Sequence, residues 1–152
     1  MGRNLFFYSQ YIYQNITLKD FISGYFKKKE QDQNVLKVYC KSSTKTDYLM
    51  KKTIPFCFQL FSEVSDMEFQ ESISISEHQV EINVWKNLGE ISSQVNMIIF
   101  EDVLKKQTIL KAVFNCTNIP LLLRSKIRNY ITQEFVKERE KEEQIIRSNN
   151  NL

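Results

Sequence analysis

Residues 120–147, PLLLRSKIRNYITQEFVKEREKEEQIIR, predict one long helix with a narrow apolar face. Pro120 suits the first turn, where a backbone N–H would have no partner inside the helix. The side chains that follow at helical spacing are apolar except for Glu134, and they are Leu123, Ile127, Tyr130, Ile131 and Phe135. A helix of about 25 residues is about 38 Å long, which exceeds one side of a small β-barrel. We therefore expect part of this stripe to be uncovered unless another protein covers it.

Before this helix the hydrophobic period changes to two, which is typical of strands with one buried face. Five such segments are predicted, at residues 54–61, 67–75, 80–85, 95–100 and 108–114. Pro55 places the first segment at a strand edge or start, because proline donates no ladder hydrogen bond. A flat sheet of five short strands would leave its edges unprotected, so about 70 residues of this pattern favour a small closed barrel.

The first third of the chain is less regular. Residues 16–26 predict a short helix with Thr17 as its N-cap and Asp20 completing an acidic capping box. Three consecutive lysines, residues 27–29, end this helix where its dipole favours cations. Residues 35–40 predict a strand or an extended arm, and the polar residues behind them predict a loop.

These elements divide the chain into four regions. They are an N-terminal extension with a short helix (1–47), a five-stranded barrel (48–118), a C-terminal partner-binding helix (119–147) and a polar tail (148–152).

Composition excludes several classes of enzyme. The 152 residues contain three isolated glycines, so no glycine-rich loop is present to bind a phosphate or a dinucleotide. The single histidine, His78, falls in a polar link between two strands, where a solvated turn residue is the simpler interpretation. The three cysteines form no Cys-x-x-Cys pair and fit buried thiols of a reducing compartment. We therefore predict a soluble, non-catalytic protein without cofactor or membrane span.

Two candidate binding surfaces remain. Aromatic side chains that stack on bases, with lysines that contact phosphates, are typical of single-strand binding. The candidates for such a nucleic-acid surface are Phe69, Trp85, Lys86, Lys105 and Lys106. The alternative interpretation is that the aromatic side chains belong to the core and that the lysines are ordinary solvated residues, and acidic neighbours together with a net charge of only +3 favour it. The predicted partner-binding surface consists of Leu122, Leu123, Ile127, Tyr130, Ile131 and Phe135.

Three segments resemble a known family. They are His78-Gln79-Val80, then Gln94-Val95 with Ile98, and then Lys111-Ala112 continuing through Cys116, Asn118 and Pro120-Leu121-Leu122 to Ile127-Arg128. In this pattern the chain resembles the smallest subunit of the CST telomere complex, an OB-fold protein, in a protist, telomerase-associated form.

The resemblance implies a structural subunit in the nucleus, at the telomere. It would dimerise with a Stn-like OB-fold subunit, join a larger Ctc-like subunit, and support weak or assisted binding of single-stranded telomeric DNA. It also implies association with telomerase and with the polymerase α–primase that synthesises the complementary strand.

An alternative from another class is a START-like helix-grip lipid carrier. Such a protein also has a short helix, a curved sheet and a long final helix, with the apolar strand faces lining a cavity. The number of strands discriminates between the two, because the carrier needs about six or seven strands and a hollow interior, whereas the OB barrel needs five and a filled core.

Overall fold

The computed structural model describes residues 3–54 and 65–152. Their elements, in chain order, are β1 (Arg3–Gln14), α1 (Leu18–Gln31), β2 (Val35–Tyr39), β3 (Lys45–Thr53), β4 (Asp66–Ile75), β5 (Gln79–Leu88), β6 (Ile91–Asp102), β7 (Gln107–Ile119), a 3₁₀ turn (Leu121–Leu123) and α2 (Arg124–Asn149). The strand predicted at residues 54–61, with Pro55 and Cys57, falls almost entirely outside the described residues. Of the other two cysteines, Cys116 is buried and Cys40 is exposed.

The seven strands form one open antiparallel sheet in the order β1-β7-β6-β5-β4-β3-β2. The prediction of a five-stranded OB barrel is therefore wrong. Residues 1–47 contribute β1, β2 and the start of β3 to the same sheet as the later strands, so the sheet is larger than five strands. A helix, rather than contact between the two edge strands, covers its inner face, since Ile127 and Phe135 of α2 are buried and the Phe135 ring packs edge-on against Phe114 of β7 at 5.5 Å.

The alternation of side chains along the strands explains why one face of the sheet is covered. In β5 the buried residues are Val80, Ile82, Val84 and Leu88, and the residues at the alternate positions, such as Trp85, point to the outer face. The same alternation continues through Met97 and Ile99 of β6 and through most of β7. Because side chains of a strand alternate between faces, this pattern produces one continuous apolar inner surface.

The predicted N-terminal helix and its capping box are confirmed. The Thr17 hydroxyl accepts a hydrogen bond from the Asp20 backbone N–H at 3.1 Å, and the Asp20 carboxylate accepts one from the Thr17 N–H at 3.3 Å. The two bonds satisfy backbone N–H groups that would otherwise lack partners at the helix start. Helix α1 then packs against the last turns of α2, where Gly24 faces Ile146.

Two strands differ from the sequence expectation. Residues 3–14 form β1, for which no strand is predicted, and β3 begins at Lys45, inside the segment predicted as a polar loop. Neither helix within the described part of the chain combines the length and apolar content needed to cross a membrane.

Candidate ligand-binding cavity

A cavity of about 260 Å³ lies between the inner face of the sheet and α2. Its apolar walls come from three sources: β3 and β4 contribute Met50, Met67 and Phe69; β5 to β7 contribute Val84, Leu88, Ile91, Val95, Met97 and Phe114; and α2 contributes Tyr130, Ile131 and Phe135. The strand residues are inner-face positions of the alternating pattern, and the α2 residues belong to the apolar stripe. The cavity is thus a place where the two apolar surfaces of the fold face each other without filling the space between them.

One of the cations that line the cavity, Lys86, comes from the middle of the sheet. Lys86 occupies an inner-face position of β5, between Val84 and Leu88, and lines the cavity. Its ammonium lies 4.8 Å from the centre of the Phe69 ring, the residue opposite it on β4. Burial, and next the nearby charge of Lys52, lowers the pKa of Lys86 to about 8. Within the described residues its ammonium has no ion pair.

A second lysine lies where α1 meets the cavity, and it is paired. Lys29 is buried, forms an ion pair with Glu71 of β4, and lies over the rings of Tyr25 and Tyr48 at 5.5 and 5.3 Å. Burial, and secondarily Lys28, lowers the pKa of Lys29 to about 7. The carboxylates of Asp32 and Glu142 oppose this shift, because they stabilise the charged amine.

A buried charge cluster occupies the end of α2 beyond the cavity. Glu142 accepts hydrogen bonds from the Tyr13 hydroxyl and from Lys28, the latter at 2.8 Å. Arg139 Nε lies 3.4 Å from Glu142 Oε1, an ion pair without hydrogen-bond geometry, and the Arg139 guanidinium also lines the cavity. Burial by itself would raise the pKa of Glu142, but Arg139 and Lys28 reverse the effect and hold it at about 2.

The five residues predicted to bind nucleic acid do not form one surface. Phe69 and Lys86 face the cavity, whereas Trp85 lies on the outer face of the sheet, 38% exposed. Lys105 and Lys106 lie in the turn between β6 and β7. Trp85 pairs with Gln94, eight residues before the end of β6, which places it about 26 Å from that turn at about 3.3 Å per residue.

The residues predicted to bind a partner lie mostly inside this chain. Ile127 and Phe135 are buried, and Tyr130, Ile131 and Leu123 are partly buried, the first two at the cavity wall. Only Leu122 of this set is widely exposed, at 95%. The sheet of the same chain therefore covers most of the apolar stripe that was expected to need a partner.

The buried charges of α2 were missed by the sequence analysis, although a signal for them exists. Positions 139, 142 and 146 continue the helical spacing of Ile127, Ile131 and Phe135, so they fall on the same face of the helix. Residues 137–143 are a dense run of mixed charges, which hides the fact that two of them lie on the apolar face of the helix. An arginine and a glutamate three residues apart on the extension of an apolar stripe indicate a buried pair.

Comparison with solved structures decides the fold. Human STARD10 matches with a TM-score of 0.60 and 11% identity over 96% of this chain, which spans 65% of that structure. TTHA0849 from Thermus thermophilus matches with a TM-score of 0.59 and 9% identity, covering 94% of this chain and 97% of the other. Truncated norcoclaurine synthase from Thalictrum flavum matches with a TM-score of 0.53 and 10% identity, covering 96% and 93%. The protein has a START/Bet v1-like helix-grip fold.

No sequence profile of a known family matches the chain, and no curated protein matches it. The helix-grip fold overturns the resemblance to the CST subunit, and with it the function expected of an OB-fold telomere subunit. The segments behind that resemblance lie on β5, β6, β7 and the start of α2. Antiparallel strands followed by a helix are common to both folds, so the segments did not discriminate between them. The partners and the nuclear location that the resemblance implied stay predictions.

Proposed function

We propose that this protein is a non-catalytic binding protein whose ligand is a small hydrophobic molecule held between the sheet and α2. The observation that carries the proposal is the cavity of about 260 Å³ and its mostly apolar walls. Concave, largely apolar sites with a few placed polar groups are the usual form of small-molecule sites in proteins.

The size of the cavity favours a compact ligand. Small-molecule sites commonly measure about 300–1,000 Å³, and this cavity lies just below that range. Protein interiors are otherwise packed about as densely as organic crystals, so side chains around an unfilled space lose contacts that a ligand would restore. A ligand that binds the folded state alone therefore stabilises it.

A neutral hydrophobic fluorophore tests this proposal. N-phenyl-1-naphthylamine is expected to bind the wild-type protein with increased fluorescence and to raise its melting temperature. Val95→Trp, which places an indole in the cavity, is expected to weaken this binding at least about tenfold, because the ring occupies the ligand's space.

The matched control is Gln94→Trp. Gln94 is the preceding residue of β6, is exposed and belongs to the outer face, so the same side chain is added outside the cavity. This variant is expected to bind the fluorophore as the wild type does. Absence of binding by the wild type, or equal binding by both tryptophan variants, would contradict a ligand site in the cavity.

A further inference from the structure

Lys86 and a neighbouring serine bring polar atoms to the otherwise mostly apolar wall of the cavity. The neighbours of Lys86 on the inner face of β5 are Val84 and Leu88. The residue opposite it on β6 is Ser93. Ser93 also lines the cavity, and its hydroxyl oxygen accepts a weak hydrogen bond from the Cys116 thiol at 3.7 Å. Among the described residues the Ser93 hydroxyl donates no hydrogen bond, so its proton can be donated to a ligand.

Of the other cations around the cavity, Lys28, Lys29 and Arg139 have protein partners among the described residues, whereas Lys52, which also lines the cavity, forms no ion pair there. Lys29 is paired with Glu71, and Lys28 with Glu142 at 2.8 Å. Arg139 lies beside the same Glu142.

Two glutamates of α2 that line the cavity have their own partners at the surface. Glu134 pairs with Lys137 at 3.6 Å, and Glu138 pairs with Lys141 at 3.8 Å. Among the described residues Lys86 has a contact to an aromatic ring and no ion pair, and a charge withdrawn from water is costly unless it is paired.

We propose that the ligand is an amphipathic monocarboxylate whose carboxylate pairs with Lys86 and accepts a hydrogen bond from the Ser93 hydroxyl. This inference rests on the proposed binding function and specifies the chemical class of the ligand. The apolar body of the ligand lies against Val95, Phe114 and Ile131, which line the same cavity. A monocarboxylate adds one negative charge to a cavity that Glu71, Glu134 and Glu138 also line, whereas a dianionic phosphate would add two beside the same carboxylates.

The test compares decanoate with 1-decanol, which have equal chain lengths but differ in charge, by displacement of N-phenyl-1-naphthylamine at pH 7. The wild type is expected to prefer decanoate. In Lys86→Met, which keeps a side chain of similar length, affinity for decanoate is expected to fall about 10- to 100-fold, because a charge-assisted hydrogen bond is lost. Affinity for decanol is expected to be unchanged or higher.

The matched control is Lys111→Met. Lys111 also holds its ammonium over a phenylalanine ring, at 5.5 Å from the centre of Phe100, but it lies exposed on the outer face of the sheet. This variant is expected to keep the wild-type preference for decanoate.

Three results would overturn the inference. They are equal affinity of the wild type for decanoate and decanol, an equal loss of decanoate binding in both lysine variants, and tighter binding of decyl phosphate than of decanoate. The fluorophore separates this failure from that of the proposed function. If the neutral fluorophore binds but decanoate is not preferred, only the chemical class of the ligand is wrong. If the fluorophore does not bind, the cavity itself is not a ligand site.

Discussion

Two buried tyrosines differ in whether the side-chain hydroxyl has a hydrogen-bond partner, and this difference decides what each hydroxyl contributes to stability. Tyr13 of β1 and Tyr25 of α1 are both buried, and burial raises the pKa of each well above its ordinary value. The Tyr13 hydroxyl donates to Glu142, whereas the Tyr25 hydroxyl has no hydrogen-bond partner within the described residues. A buried hydroxyl without a partner costs free energy that a paired one does not.

Replacing each tyrosine with phenylalanine is expected to give different results. Tyr13→Phe should lower the free energy of unfolding by about 1–3 kcal/mol, because buried Glu142 loses a donor. Tyr25→Phe should leave it within about 0.5 kcal/mol or raise it, because an unsatisfied group is removed while the ring packing is kept. Urea denaturation followed by circular dichroism measures both, and equal losses in the two variants would contradict this account.

The two helices approach each other closely at Gly24 of α1. A Cβ atom added there would lie 2.8 Å from the Ile146 Cα of α2, which is nearer than real Cβ contacts allow. Since the obstacle includes backbone, a change of side-chain rotamer would not remove it. Gly24 is therefore required by the contact between the helices and not by the helix in which it lies.

Gly24→Ala separates these two effects. In an isolated helix alanine is more favourable than glycine by about 1 kcal/mol. Here we expect the variant to lose about 1–3 kcal/mol in the free energy of unfolding, because the added methyl forces α1 and α2 apart. Lys27→Ala, at an exposed position of the same helix, serves as the control and should change little. An increase in the melting temperature of Gly24→Ala would show that the helices separate without cost.

The sequence predicted some elements well and others not at all, for physical reasons. Strands β4 to β7 were predicted because their apolar residues alternate cleanly. In β1, large apolar residues occur on both faces, with Phe6 and Tyr8 on the outer face and Phe7 and Tyr13 on the inner face, so no alternation was visible. In β3 the charged residues Lys45, Asp47, Lys51 and Lys52 resemble a loop. The strand that pairs with β1 is β7, which is far away in the sequence, and a local pattern does not contain that information.

The candidate site was only partly visible in the sequence. The stripe residues Tyr130, Ile131 and Phe135 were identified correctly as one apolar surface, but whether the chain itself or a partner covers that surface depends on the size of the sheet. Lys86 and Phe69 were both among the five residues selected as a nucleic-acid surface. Their assignment to nucleic acid followed from the barrel, and in the observed fold they instead face the cavity between the sheet and α2.

Acid stability of the complete fold depends on the buried cluster that joins β1, α1 and α2. The pKa of Glu142 is lowered from its ordinary 4.5 to about 2 in the folded protein, burial being outweighed by Arg139 and Lys28. The unfolded chain therefore binds a proton at a pH where the folded chain does not. The stabilisation from this group is complete above about pH 5 and is lost as the pH falls towards 2.

Because the stabilisation by Glu142 is lost at low pH, the free energy of unfolding should depend on pH in a way that can be measured. Wild-type protein is expected to lose up to about 3 kcal/mol of unfolding free energy from this group between pH 5 and pH 2. Glu142→Gln should be less stable than the wild type at pH 7, and the difference between the two should shrink as the pH falls. Urea denaturation at a series of pH values measures both, and a difference that stays constant with pH would contradict the role of the carboxylate.

The hydrogen bond between Tyr13 and Glu142 joins residues that are 129 positions apart. During synthesis β1 leaves the ribosome before β7 and α2, so its pairing edge and its inner face must wait for those elements. Pairings between strands so far apart in the sequence slow folding, and until they form the apolar inner face of the sheet is exposed to water. A ligand of the proposed kind would cover part of this apolar face and so favour the completed fold over chains in which the face is still exposed.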